Sequence, residues 1–156
     1  MASSADVRLA KVLHDIAVAN GFTYAEYWAP RTTPNGSAVL ELTHTSDDHS
    51  QVSPPVHAFA ECSRQLRFAA GYGLPGRVWA SGQPEWTSDI RSVPRDIFMR
   101  EDIAQEHGLN SAVGIPVTPT PEGLAAVACF FSQDPVEPSV ETMGSLGMAM
   151  RSIAVA

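Results

Sequence analysis

The spacing of apolar residues changes period several times along the chain, and each change marks an element. Leu9, Leu13, Ile16 and Ala17 recur at helical spacing until Asn20-Gly21 ends the run, and Ser3 with Asp6 three residues later forms a capping-box pattern ahead of it. The first element is therefore an amphipathic helix. Thr23 to Ala29 alternates instead, which places Tyr24, Glu26 and Trp28 on one face of a strand and Ala25 and Tyr27 on the other. A turn at Pro34-Asn35-Gly36 leads into a second alternating strand, Ala38 to Thr45, so the two are expected to pair as antiparallel neighbours. Ser46 to Pro55 is polar and reads as a loop. His57 to Phe68 then gathers Ala58, Phe59, Cys62 and Leu66 on one side of a short helix.

Periodicity disappears between Arg67 and Ile90, where four glycines and two prolines accompany two tryptophans. Gly is costly in helices and strands, and Pro removes a backbone donor, so this stretch is predicted to be an ordered, irregular crossover with Leu74, Trp79 and Trp86 pointing inward. Glu85 to Ser88 within it suits a short edge strand. Ser92-Val93-Pro94 could start a helix, but the consecutive Ile97, Phe98 and Met99 fit no single helical face, and a cleaner helical turn runs from Arg100 to His107 before Gly108. Ser111 to Val117 alternates bulky Val113, Ile115 and Val117 with small or donor-poor Ala112, Gly114 and Pro116, so one face packs while the other leaves room. Leu124 to Ser132 is apolar on both faces, as a central strand requires. Ser139 caps a last helix with Met143, Leu146, Met150 and Ile153 in one stripe and Gly144 and Gly147 beside it.

This order predicts an α+β fold with an antiparallel sheet. The terminal helices share one face, and the crossover and middle helices cover the other, enclosing a pocket above Tyr24, Glu26, Trp28, Ala112 and Gly114.

Composition narrows the reading. A length of 156 residues fits a single domain spanning 1–156. A net charge of −7, with its ten Lys and Arg scattered singly, lacks the basic stripe that nucleic acid or an anionic membrane surface demands. No apolar run reaches the length of a membrane span, and the first residues lack the apolar core of a secretion signal, so a cytoplasmic protein is expected. The two cysteines, Cys62 and Cys129, stand in different elements without metal or redox spacing, and both are expected to be buried, reduced thiols.

The stretches TYAEYWAP, FAAGYGLPGRVWASGQPEWTSDI, FMREDIAQEHGLNSAVGIPV and VACFF together resemble a GAF domain, the small-molecule sensor module of signalling proteins. GLPGRVW followed by G-x-P-x-W-x-x-D is the most specific part of the resemblance, which extends over nearly the whole chain. It implies a five- or six-stranded antiparallel sheet with helices on both faces, a pocket beneath the crossover, and a homodimer formed through the first and last helices. It also implies an output domain such as a kinase or cyclase in the full-length protein. Ligands in the family range from cyclic nucleotides, bilins and haem to small anions and amino-acid-like molecules, so the small molecule and any cofactor stay unidentified.

The residues that could contact a ligand are Tyr24, Glu26, Trp28, Phe68, Leu74, Trp86, Phe98, Ala112 and Gly114; equally, the aromatics among them could simply fill the core beneath the crossover. Glu26 stands apart. A carboxylate on an inner strand face costs several kcal/mol, roughly, to bury unpaired, so it either ionises against a partner, which Arg77 or a ligand group could supply, or stays protonated as a donor. Arg77 and Asp89 are expected to pin the crossover as a pair. The histidines at 44, 49 and 57 have metal-binding chemistry but no defined metal spacing, and neither cysteine is followed by the histidine that marks bilin attachment in the family. No nucleophile, base and orienting group fall together, so no catalytic residue is assigned and a non-enzymatic role is expected.

The functional expectation is a regulatory domain that binds a small molecule under the Phe68–Ile90 crossover and signals through terminal helices of a dimer. Its alternatives are a ligand-free dimerisation module and a haem- or chromophore-binding sensor.

Overall fold

Six strands form one antiparallel sheet in the computed structural model, which describes residues 4–51, 53–94, 100–117 and 126–154. They are β1 (Tyr24–Thr32), β2 (Ala38–Thr45), β3 (Arg67–Phe68), β4 (Glu85–Thr87), β5 (Ser111–Val117) and β6 (Ala126–Ser132), in the spatial order β3-β2-β1-β6-β5-β4. The helices are α1 (Ser4–Ala19), α2 (Pro54–Ser63), α3 (Gly73–Ser81), α4 (Glu101–Glu106) and α5 (Val140–Ala154). Every residue of β6 is buried, which accounts for its unbroken apolar run and its place beside β1 at the centre. None of the described helices is long and apolar enough to cross a membrane.

The alternation of the strands divides the core in two. On one face Leu13 and Ala17 of α1 and Leu146 and Met150 of α5 pack against Ala25, Val113, Ile115, Ala128 and Phe130. On the other, Phe59 of α2, Leu74 and Val78 of α3 and Ala104 of α4 cover Tyr24, Trp28, Leu40, Ala112, Cys129 and Phe131. Each large side chain buried in this way contributes about 1.5–3 kcal/mol. The stripe on α5 is therefore turned toward its own sheet. Gly144 and Gly147 serve no close approach among the described residues, because a Cβ placed on either would meet none of their atoms within 4 Å. Val7 and Val18 of α1 and Val140 and Met148 of α5 stay exposed.

The largest departure from the expected elements lies in the crossover, where Gly73–Ser81 is a helix. Its glycines are there for contacts and for its end. A Cβ on Gly76 would come within 2.3 Å of the Ala69 carbonyl oxygen, and one on Gly114 within 2.8 Å of Val78 Cγ2, so both glycines let α3 sit close to its neighbours. Gly82 closes the helix in the left-handed region at φ 68°, and Pro75 falls in the first turn, where its missing donor costs nothing. Two smaller corrections concern α2, which starts at Pro54, three residues earlier than expected, and Cys62, which is exposed on it. Ile97, Phe98 and Met99 and the expected turn at 118–123 lie outside the described residues.

Gly76→Ala is expected to lower unfolding free energy by about 1–3 kcal/mol, since the backbone at Ala69 has to move. Gly144→Ala should raise it by about 0.5–1 kcal/mol through helix propensity alone. Urea denaturation of the two variants beside the parent checks both signs.

The candidate site beneath the middle helices

Glu26 is the third residue of β1, with its side chain on the face covered by α2, α3 and α4, and it is completely buried. The period of the strand puts Tyr24 and Trp28 on either side of it. The Tyr24 hydroxyl donates to Oε2 at 3.1 Å and the Trp28 indole Nε1 donates to Oε1 at 2.8 Å. The matching charge is Arg100, the residue that leads into α4, whose Nη1 donates to Oε2 at 2.7 Å and also to Ser63 Oγ, at the end of α2, at 3.1 Å. The guanidinium is enclosed by rings. Its carbon lies 5.2 Å from the ring centres of Trp28, Phe59 and Phe131 and 5.6 Å from that of Phe68.

Removing two opposite charges from water costs several kcal/mol per ion, and the cost is recovered only where the remaining polar atoms are also matched. Here the carboxylate accepts from an indole, a phenol and a guanidinium at once. Burial works against the Arg100 charge, but the Glu26 carboxylate more than offsets it, so the proton is held more firmly than in water. Burial, reinforced by Glu26, pushes the Tyr24 phenol well above its ordinary range and keeps it a donor. The same two causes raise the Cys129 thiol, which leaves it protonated and a poor nucleophile.

Of the residues marked in the sequence, Tyr24, Glu26, Trp28, Phe68, Leu74 and Ala112 all stand on this face of the sheet. The room left by Gly114 is taken by Leu74 and Val78 of α3. Trp86 requires a correction. It pairs with Val113 and shares the opposite face, where its ring lies 5.9 Å from Phe22 and its Nε1 donates to the Val136 carbonyl at 2.8 Å. Phe98 lies outside the described residues. The expected Arg77–Asp89 pair is also replaced: Arg77 Nε reaches both carboxylate oxygens of Glu85 at 3.1 Å, while Asp89 accepts from Arg91 Nε at 2.9 Å and caps the turn at Ile90–Ser92.

Arg100, Ser63, Phe59 and Phe131 escaped the sequence reading as parts of the site. Arg100 precedes Glu101 and Asp102 at the start of a polar helix, a position that ordinarily faces solvent. The one signal pointing to it was the need of Glu26 for a cation.

The histidines lie elsewhere. His44 Nε2 meets Asp6 Oδ1 at 2.7 Å, the rings of His14 and His49 stand 5.2 Å apart, and His57 Nδ1 meets Asp47 Oδ2 at 2.6 Å, a contact that raises the His57 pKa. His107 Nδ1 is 2.7 Å from the Ile103 carbonyl. A hollow of about 740 Å³ opens toward α1, lined in part by Asp6, Ala10, His44 and His49.

No family model matches the chain. Protein NLP8 of Arabidopsis thaliana is 32% identical over 99 residues, 60% of this chain and 10% of that protein, and Protein NLP2 of Oryza sativa subsp. japonica is 30% identical over 110 residues, 66% and 11%. The chain spans about a tenth of the length of the curated relatives it matches. The GAF domain of a two-component sensor histidine kinase from Bacillus halodurans superposes with a TM-score of 0.64 at 12% identity, covering 94% of this chain and 91% of that one. This is the GAF-domain fold. Two other proteins share it at similar distance. A Staphylococcus aureus NreA protein mutated in its nitrate-binding site gives a TM-score of 0.63 at 16% identity, covering 87% and 92%. The type II free methionine-R-sulfoxide reductase of Thermoplasma acidophilum gives 0.68 at 13%, covering 97% and 90%. The GAF fold thus carries both binding and enzymatic members.

Arg100→Met, which strands Glu26, is expected to cost about 3–5 kcal/mol, and Trp28→Phe, which removes one donor to the same carboxylate, about 1–3 kcal/mol. Equilibrium denaturation of both variants measures the order.

Proposed function

We propose that the chain is a regulatory, non-catalytic GAF domain that senses a small molecule at the Glu26–Arg100 pair, under the Phe68–Ile90 crossover, and signals through its terminal helices. The observation that carries this reading is the pair itself. An apolar core needs no charges, and a buried ion pair of this kind is no more stabilising than well-packed apolar residues of the same volume. What it supplies is a contact with two alternatives, since a ligand that takes one partner releases the other. Arg100 joins α4 to the end of α2 through Ser63, so such an exchange would bias the cover of the pocket.

The route outward runs through β1. Glu26 looks into the site, while its neighbour Ala25 packs among Leu13 and Ala17 of α1 on the opposite face. A homodimer formed through α1 and α5 would use the surface that carries Val7, Val18, Val140 and Met148. The output partner we infer is a kinase or cyclase, in keeping with the sensor kinase GAF domain of the same fold. A small ligand agrees with the nitrate-binding site of NreA. Haem finds no support, because each of the five histidines is engaged away from the aromatic enclosure.

One observation favours a second reading, a ligand-free dimerisation module: Leu74 and Val78 already fill the space above Gly114. A thermal-shift panel of nitrate, acetate, free amino acids, cyclic nucleotides and small organic cations separates the two. A ligand at a hundred times its dissociation constant adds about 2.7 kcal/mol, or about 5 °C and more for a domain of this size. The sensing reading expects at least one such shift, altered in Glu26→Gln or Arg100→Met. A flat panel in the parent protein, with a dimer intact by sedimentation, would leave the module.

A further inference from the structure

We propose that the rings of Trp28, Phe59, Phe68 and Phe131, together with the Glu26 carboxylate, form a receptor for an organic monocation of guanidinium or methylated-ammonium type, which Arg100 fills as an intramolecular ligand. This rests on the sensing reading and names its ligand class. A cation is attracted to an aromatic face within about 6 Å of the ring centre. The Arg100 guanidinium meets that condition at four rings together, at 5.2, 5.2, 5.6 and 5.2 Å for Trp28, Phe59, Phe68 and Phe131. Its shape and charge are thereby a direct measure of what the enclosure accepts.

The walls hold one another in place through contacts that do not involve Arg100. Trp28 packs edge-on against Phe68 at 5.0 Å between ring centres, and Phe59 against Phe131 at 5.2 Å and Tyr24 at 5.8 Å. Glu26 is aimed by Tyr24 and Trp28, both of which donate to it and neither of which needs the guanidinium to do so. The receptor is therefore preorganised, and only its occupant is supplied by the short helix α4.

Charge selects the class of visitor. Replacing one monocation by another leaves the buried net charge unchanged, and Glu26 keeps its match. An anion bound to Arg100 would instead have to settle beside the Glu26 carboxylate, which repels it in a medium of low dielectric. A cation that enters sets Arg100 free of Glu26 and Ser63, which uncouples α4 from β1 and from the end of α2.

The competition between Arg100 and a free cation makes the test. Calorimetry with methylguanidinium and tetramethylammonium chlorides, against matched sodium chloride, is run on the parent protein, Arg100→Ala and the Glu26→Gln/Arg100→Ala double variant. Saturable binding is expected in the parent and about tenfold tighter binding in Arg100→Ala, because the competing occupant is gone. It should be lost in the double variant. Saturation-transfer NMR with tetramethylammonium on the parent protein keeps the test available if Arg100→Ala does not fold, with transfer to the methyl protons expected and its absence overturning the proposal. A parent protein silent to both cations overturns it, as does binding indifferent to Glu26→Gln. Nitrate that stabilises the parent in an Arg100-dependent way also overturns it while leaving the sensing reading intact. If no compound of any class binds, both readings fall.

Discussion

A carboxylate at the centre of a sheet face has to be matched before that face can be covered, and Glu26 imposes this condition on everything packed above β1. The strand supplies two donors from its own alternation, Tyr24 and Trp28, but both are neutral and leave the charge uncompensated. Arg100, 74 residues further on, completes the set. Three elements are fixed relative to one another by that contact, because the same guanidinium nitrogen also meets Ser63 at the end of α2. The four rings then shield the pair from water, which strengthens the attraction and raises the cost of losing either partner.

The two faces of the sheet are built on different physics. Beneath α1 and α5 the contacts are almost wholly apolar and non-directional, with Leu13, Phe130, Leu146 and Met150 at the centre. Beneath α2, α3 and α4 the packing is organised around a charge and depends on one directed contact. A face of the first kind suits a stable platform for terminal helices. One of the second kind is where the proposed exchange of partners would act. The GAF fold itself is shared with proteins that bind and with one that catalyses, so the function proposed here comes from these residues and not from the architecture.

Much of this was legible in the chain because β-structure announces its faces. Ala38 to Thr45 and Ser111 to Val117 coincide with β2 and β5, and the alternation of Tyr24, Glu26 and Trp28 put all three on one face of the sheet, where they lie. Trp86 was assigned to the wrong face because a three-residue edge strand contains too little alternation to orient it. GLPGRVW reads as irregular by propensity, yet it is helical; Gly76 answers to the Ala69 carbonyl and Gly82 to the left-handed end of the helix, and the first of these constraints is set by tertiary packing and not by local preference. Arg100 was illegible for a third reason. Nothing in its neighbours along the chain distinguishes a helix-leading arginine in water from one drawn into a ring of aromatics, and only the unmet charge of Glu26 demanded that some such residue exist.

The claim on which the rest turns is that Glu26 and Arg100 act as a unit that holds α2 and α4 to the sheet. A double-mutant cycle in urea with Glu26→Gln, Arg100→Met and the combined variant measures this directly. A coupling of about 2 kcal/mol or more is expected, with the double variant well short of the sum of the singles. A coupling within about 0.5 kcal/mol of zero would contradict it, and would reduce the pair to two independently buried polar groups.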